Sequence, residues 1–103
     1  MTANEVIQAL NLEPLEPEGG FFRQTYRSGA TVETPKGDRS IGTSIYYLVT
    51  PESFSKFHSL KSTEIYHYYM GDPLTLVLLH PDGGAQKIVL GTDLAAGQVP
   101  QVI

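Results

Sequence analysis

Apolar positions along the chain follow two different periods. In "MTANEVIQALNL", Val6, Ile7 and Leu10 recur at the spacing of one helix face. Thr2 and Glu5 precede that run with capping-box spacing, in which each side chain satisfies the other's free backbone N–H. Pro14 and Pro17 are expected to stop this helix. After "EPEGG" the period becomes two. "FFRQTYRS" predicts a strand with Phe22, Gln24 and Tyr26 on one face and Arg23, Thr25 and Arg27 on the other. "TSIYYLV", "FSKFHSL", "EIYHYYM", "LTLVLLH" and "AQKIVLG" are further runs rich in β-branched and aromatic residues. Gly71–Pro73 in "MGDPL" and Pro81–Gly84 in "HPDGGA" supply hairpin turn chemistry between them. "SGATVETPKGDRSIG" reads as one long loop over about residues 29–41, of the kind that rims a binding site. "GQVPQVI" reads as the start of another strand. The pattern predicts a single domain over residues 1–103, an all-β sandwich or barrel after one short helix.

Composition narrows the function classes. The chain is 41 % hydrophobic and 17 % charged, enough for one core and too little charge for a disordered segment. Seven basic against 11 acidic side chains give a net charge of −4, and no Lys/Arg run occurs. No nucleic-acid partner is therefore expected, because such binding needs a basic face to displace counterions. With no cysteine, disulfides and zinc–thiolate sites are excluded, which suits a cytoplasmic location. Neither a signal-peptide pattern nor a bilayer-length apolar run is present, so no membrane partner is expected.

The candidate chemistry concentrates in "KFHSLKSTEIYHYYMGD", residues 56–72. Strand parity places Glu64, Tyr66 and Tyr68 on one face and Ile65, His67 and Tyr69 on the other. Glu64 and His67 then converge on one cavity only if a bulge intervenes. A neutral histidine such as His58 can accept a proton near neutral pH, with Glu64 fixing its tautomer and a tyrosine serving as acid. Tyr46 lies on the neighbouring predicted strand, and Arg23 and Arg27, on one predicted face, are candidate cations for a salt bridge or an anionic ligand. The same tyrosines equally serve as amphipathic sheet aromatics, and Glu64 with His58 as a polar pair between strands. His80, before the "PDGG" turn, is expected to be exposed.

The order His58, Leu60, Glu64, Gly71 resembles the first motif of the cupin superfamily, with Leu60 where a second histidine is usual. Together with "PEGGFFRQTYRS", "SIYYLV", "LTLVLLHPDGG" and "VLGTDLAAGQVPQVI", it resembles the cupin family DUF985, or cupin-5, over roughly residues 8–103. The resemblance implies an RmlC-like jelly roll, the cupin double-stranded β-helix, with a short N-terminal helix. It also implies a pocket in which His58 and Glu64 are the catalytic pair, and it raises His67 as a ligand-binding candidate beside Tyr46, Tyr66, Tyr68 and Arg23, which the strand pattern offers. The family usually carries Glu where this chain has Gln24. Its second motif is expected after Ile103, so the closing strands are expected to be missing and the exposed edges to favour a homodimer. Leu60 removes a customary metal ligand, so no metal site is expected; any metal would be held through His58 and Glu64. By superfamily analogy to deoxysugar 3,5-epimerases, the implied function is binding of a small, sugar-like or acidic molecule, with epimerase- or isomerase-like acid/base chemistry. The alternative is a noncatalytic interaction or structural β-domain with a vestigial pocket, and the third is a metal-dependent cupin enzyme.

Overall fold

The computed structural model of the chain describes residues 1–53 and 63–103. The Cα positions fall into two compact units, Met1–His58 and Ser59–Ile103.

In the first unit, helix α1 (Ala3–Leu10) starts at Thr2 with a complete capping box. The Glu5 N–H donates to Thr2 Oγ1 at 3.2 Å, and the Thr2 N–H donates to Glu5 Oε1 at 2.9 Å. The bond from the Thr2 backbone, then that from its side chain, holds the Glu5 carboxyl below the usual glutamate range. The helix ends at Asn11 in the left-handed region, φ 53°. Its stop is therefore the left-handed C-cap, ahead of the two prolines expected to act. Pro14 instead lies in β1 (Glu13–Pro14), an edge strand where a missing N–H is tolerated.

Strand β1 pairs with β2 (Phe21–Arg27), which pairs with β5 (Thr43–Leu48), all antiparallel. The β2–β5 register shifts between Gln24 and Tyr26. Gln24 lies opposite Ile45 and Tyr26 opposite Ser44, so Thr25 is an extra residue, a β-bulge. The Thr25 and Ser44 hydroxyls share a hydrogen bond at 2.6 Å, and Thr25 Oγ1 also donates to the Ser44 carbonyl at 3.1 Å. The bulge corrects the expected faces. Tyr26 joins Arg23 and Tyr46, whereas Arg27, opposite Thr43, joins Phe22, Gln24, Ile45 and Tyr47.

The expected long loop is also corrected. Residues 31–40 form a hairpin of β3 (Thr31–Thr34) and β4 (Gly37–Ser40). Its turn is closed by the Thr34 hydroxyl, which donates to the Gly37 carbonyl at 2.6 Å and accepts from the Lys36 N–H at 3.2 Å. Thr31, Val32 and Thr34 supply the β-branched residues, and "PKG" the turn. Leu12 and Gly20 are the buried positions of this unit among its described residues. Gly20, at φ 80°, lies under the Tyr47 ring, where an added Cβ would stand 2.7 Å from a ring carbon. The Tyr47 hydroxyl donates to the Gly19 carbonyl at 2.6 Å, and the Gly20 N–H donates to Ser53 Oγ at 3.0 Å.

In the second unit, β6 (Tyr66–His67) pairs with β9 (Gln101–Val102), and β7 (Leu74–Leu79) with β8 (Ala85–Leu90). The seven-residue run "EIYHYYM" therefore yields a strand of two residues. The Gly71–Pro73 turn, with Gly71 at φ 100°, joins two strands that are not paired with each other. The Pro81–Gly84 turn closes a true hairpin, with the His80 N–H donating to the Gly84 carbonyl at 2.8 Å. His80 is exposed, as expected. A 3-10 turn, Leu94–Ala96, capped by Asp93, leads into Val99, which bridges Leu90. Leu90 and Val102 are the buried apolar side chains of this unit among its described residues, 4 % and 9 % exposed. Among the described residues no helix is long and apolar enough to cross a membrane.

Candidate functional site

The predicted site residues fall into two sets. In the first unit, Arg23 on β2 lies directly opposite Tyr46 on β5, and both are exposed. The Arg23 guanidinium donates through Nη1 to the Leu10 carbonyl at 3.3 Å. That carbonyl belongs to the last turn of α1, where the helix dipole favours a cation. Arg23 thus stabilises the helix end, and its remaining N–H donors are left for other partners.

In the second unit, Glu64 is exposed and precedes β6 by one residue. Tyr66 and Tyr68 are half-buried, whereas Ile65, His67 and Tyr69 are exposed. Burial thus alternates across Ile65–Tyr69 as the period of two demands. The His67 and Tyr69 rings are stacked, 6.3 Å apart and 18° from parallel, as i and i+2 side chains on one face. The Tyr68 hydroxyl donates to the Gly71 carbonyl, and the Tyr68 N–H donates to the Pro100 carbonyl at 2.9 Å. These bonds fix the phenol and its backbone next to the turn after β6.

His67 also stands opposite Gln101 on β9, with Gln101 Nε2 3.5 Å from His67 Nδ1. The amide and the imidazole thus face each other across the β6–β9 pair. Gln101 is a neighbour that sequence reasoning missed. The signal for it was the strand-like "GQVPQVI", but the pairing of residues 66 and 102 spans too much chain to be read from a local pattern.

His58 and Leu60 lie outside the described residues. Among the described residues, no group of three or more His, Cys, Asp or Glu side chains converges. Glu64, ahead of β6, is exposed, as is His67.

A family model described as Cupin superfamily (DUF985) matches residues 4–103. The chain is 35 % identical over 96 residues to "Uncharacterized protein YML079W" of Saccharomyces cerevisiae, a match covering 82 % of this chain and 47 % of that protein. Among solved structures it is similar to a hypothetical protein from Leishmania major, with TM-score 0.87 and 34 % identity, covering 99 % of this chain and 64 % of that one. It is also similar to protein SO0799 from Shewanella oneidensis, with TM-score 0.86 and 38 % identity, covering 99 % of this chain and 62 % of that one. The chain spans about half the length of the curated relative and less than two thirds of either solved chain.

Proposed function

The chain belongs to the DUF985 family of the cupin superfamily, and on that premise we propose that it is a small-molecule-binding domain with an acid/base pocket. The observation that carries this reading is the inverted burial around β6. Tyr66 and Tyr68 are half-buried, while Ile65 is 53 % exposed and Tyr69 75 % exposed. A strand that served only a core would turn Ile65 inward and its phenols outward. Phenols held on the protected face suit a polar ligand such as a sugar or a sugar acid, with Glu64 just ahead of the strand as the carboxylate of the family pattern. His58, placed by the family pattern, is the proposed base, and a tyrosine the proposed acid.

The test is a thermal-shift screen with nucleotide sugars, sugar acids and divalent metals. A ligand at 100 times its Kd stabilises by about 2.7 kcal/mol, a shift of several degrees for a domain of this size. His58→Ala and Tyr66→Phe should each remove or sharply reduce the shift. A shift that survives both substitutions would sink the pocket reading. The exposed apolar face of Ile65 and Tyr69 supports a second reading, association with another copy as a homodimer. Light scattering that returns a monomer at high concentration would contradict it.

A further inference from the structure

The bulge at Thr25 has a consequence for charge. A regular strand would put Arg27 beside Arg23, on the face where Arg23 meets the end of α1. The observed register puts Arg27 opposite Thr43 and on the face of Gln24 and Ile45. Gln24 and Arg27 then sit one pleat apart, about 7 Å between side-chain origins, as i and i+2 neighbours do. Thr43 is directly across from Arg27, at about 5 Å.

Three features make this a coherent group. Its donors are a guanidinium, a carboxamide and a hydroxyl, the set that recognises a carboxylate or phosphate. Gln24, Arg27 and Thr43 are all exposed, and no described hydrogen bond or ion pair engages their side chains. Among the described residues of β1, β2 and β5, the single carboxylate on this face, Glu13, lies opposite Phe22, roughly 15 Å away along the strand. Among the described residues of β1, β2 and β5, Arg27 thus has no carboxylate near it on this face, which makes the face locally complementary to an anion. Ile45, 42 % exposed beside Gln24, offers an apolar surface for the rest of such a ligand.

We propose that Arg27, Gln24 and Thr43 form an anion subsite that holds the carboxylate or phosphate of a small metabolite. The proposal stands on the first unit alone and is separate from the pocket reading above, whose described residues lie in the second unit; it names Arg27, rather than Arg23, as the reader of the anion. Bidentate capture by the guanidinium supplies most of the affinity, and the Gln24 amide and Thr43 hydroxyl set the orientation.

The experiment is an NMR titration of the intact 103-residue chain with inorganic phosphate, D-glucuronate and, as the neutral control, D-glucose. Phosphate and glucuronate should shift the Arg27 Nε–H, the Gln24 amide and the backbone of residues 24–27 and 43, and glucose should not. Arg27→Gln should weaken phosphate binding about tenfold, with Arg27→Lys retaining part of it and Thr43→Val costing a few-fold. Lys87→Gln, on β8, should leave it unchanged. The inference is overturned by the absence of any phosphate-induced shift at these residues, by equal affinity in Arg27→Gln, or by an equal loss in Lys87→Gln. This readout is separate from the thermal-shift screen above: if the pocket reading fails, the phosphate shifts at residues 24–27 and 43 remain, and if the subsite fails, those shifts are absent while the screen is unaffected.

Discussion

The β7–β8 hairpin and the β2–β5 pair are both antiparallel and both joined by a full ladder, yet they differ in regularity. β7–β8 keeps six consecutive partner pairs without a shift, from Leu74 opposite Leu90 to Leu79 opposite Ala85. Its burial follows suit, with Leu74, Leu76 and Leu78 half-buried and Thr75, Val77 and Leu79 exposed. β2–β5 breaks register at Thr25, and beyond that point every side chain of β2 changes face relative to a regular strand. The regular pair carries apolar packing and no candidate chemistry. The irregular pair carries Arg23, Gln24, Arg27 and Tyr46. Bulges re-aim side chains at a small local cost, and functional groups gather where a fold departs from its own regularity.

The largest expected effect tests the regular pair. Leu90, 4 % exposed at the end of β8, should cost about 3 kcal/mol when replaced by Ala, through lost transfer energy and a residual cavity. Urea unfolding should show the loss as a lower midpoint at unchanged slope. A loss below about 1 kcal/mol would mean that this pair is not packed as its burial indicates. On the irregular side the corresponding weak point is not a ladder residue but the loop that precedes it. Gly20→Ala sets a Cβ into the left-handed region and against the Tyr47 ring, and should cost about 2–3 kcal/mol. Tyr47→Phe, which removes the bond to the Gly19 carbonyl, should cost about 1 kcal/mol. Combined with Tyr47→Ala, Gly20→Ala should cost distinctly less than it does alone, because the clash is gone and only the backbone strain remains.

The same contrast explains what could be read from the sequence. "LTLVLL", "HPDGG" and "AQKIVL" announce β7, its turn and β8, because each local preference agrees with the final pairing. Thr2 and Glu5 announce the start of α1 for the same reason. The bulge had no such signal, since Thr25 suits a strand at either parity and its partner Ser44 lies 19 residues away. Polar and turn-forming residues hid the β3–β4 hairpin, whose pairing is decided by register and not by composition. Of the candidate site, the alternation of Tyr66 and Tyr68 against His67 was legible from parity. The partnership of His67 with Gln101 was not, because it depends on a contact across 34 positions.

A deletion sharpens the comparison with a smaller effect. Removing Thr25 should convert β2–β5 into a regular pair without moving Tyr26 or Arg27 from their observed faces, since Thr25 and Tyr26 both oppose Ser44's side of the sheet. The cost should stay within about 1 kcal/mol, the worth of the hydrogen bonds to Ser44 offset by a continuous ladder. Phosphate should still shift Arg27 in the deleted chain. Loss of that shift with the fold intact would show that the bulge sets the spacing of Gln24 and Arg27 as well as their face.

The smallest effect belongs to another regular element, α1. Glu5 is held below its ordinary range because its carboxylate accepts the Thr2 backbone N–H and bonds the Thr2 side chain. A carboxyl whose folded value is depressed contributes stability that is present above its unfolded value and is lost as pH falls through the folded one. The difference in stability between the wild type and Glu5→Gln should therefore be constant from neutral pH down to the ordinary glutamate range and shrink below it. Because Glu5 is exposed, salt should screen part of the difference even at neutral pH. The amide signals of residues 2–6 would report this as fraying of the first turn on acidification, while those of β7 and β8, which lack such a box, should hold. Fraying that begins near neutral pH would contradict the assigned direction of the shift, and no acid dependence at all would remove the capping box from the forces that hold this helix.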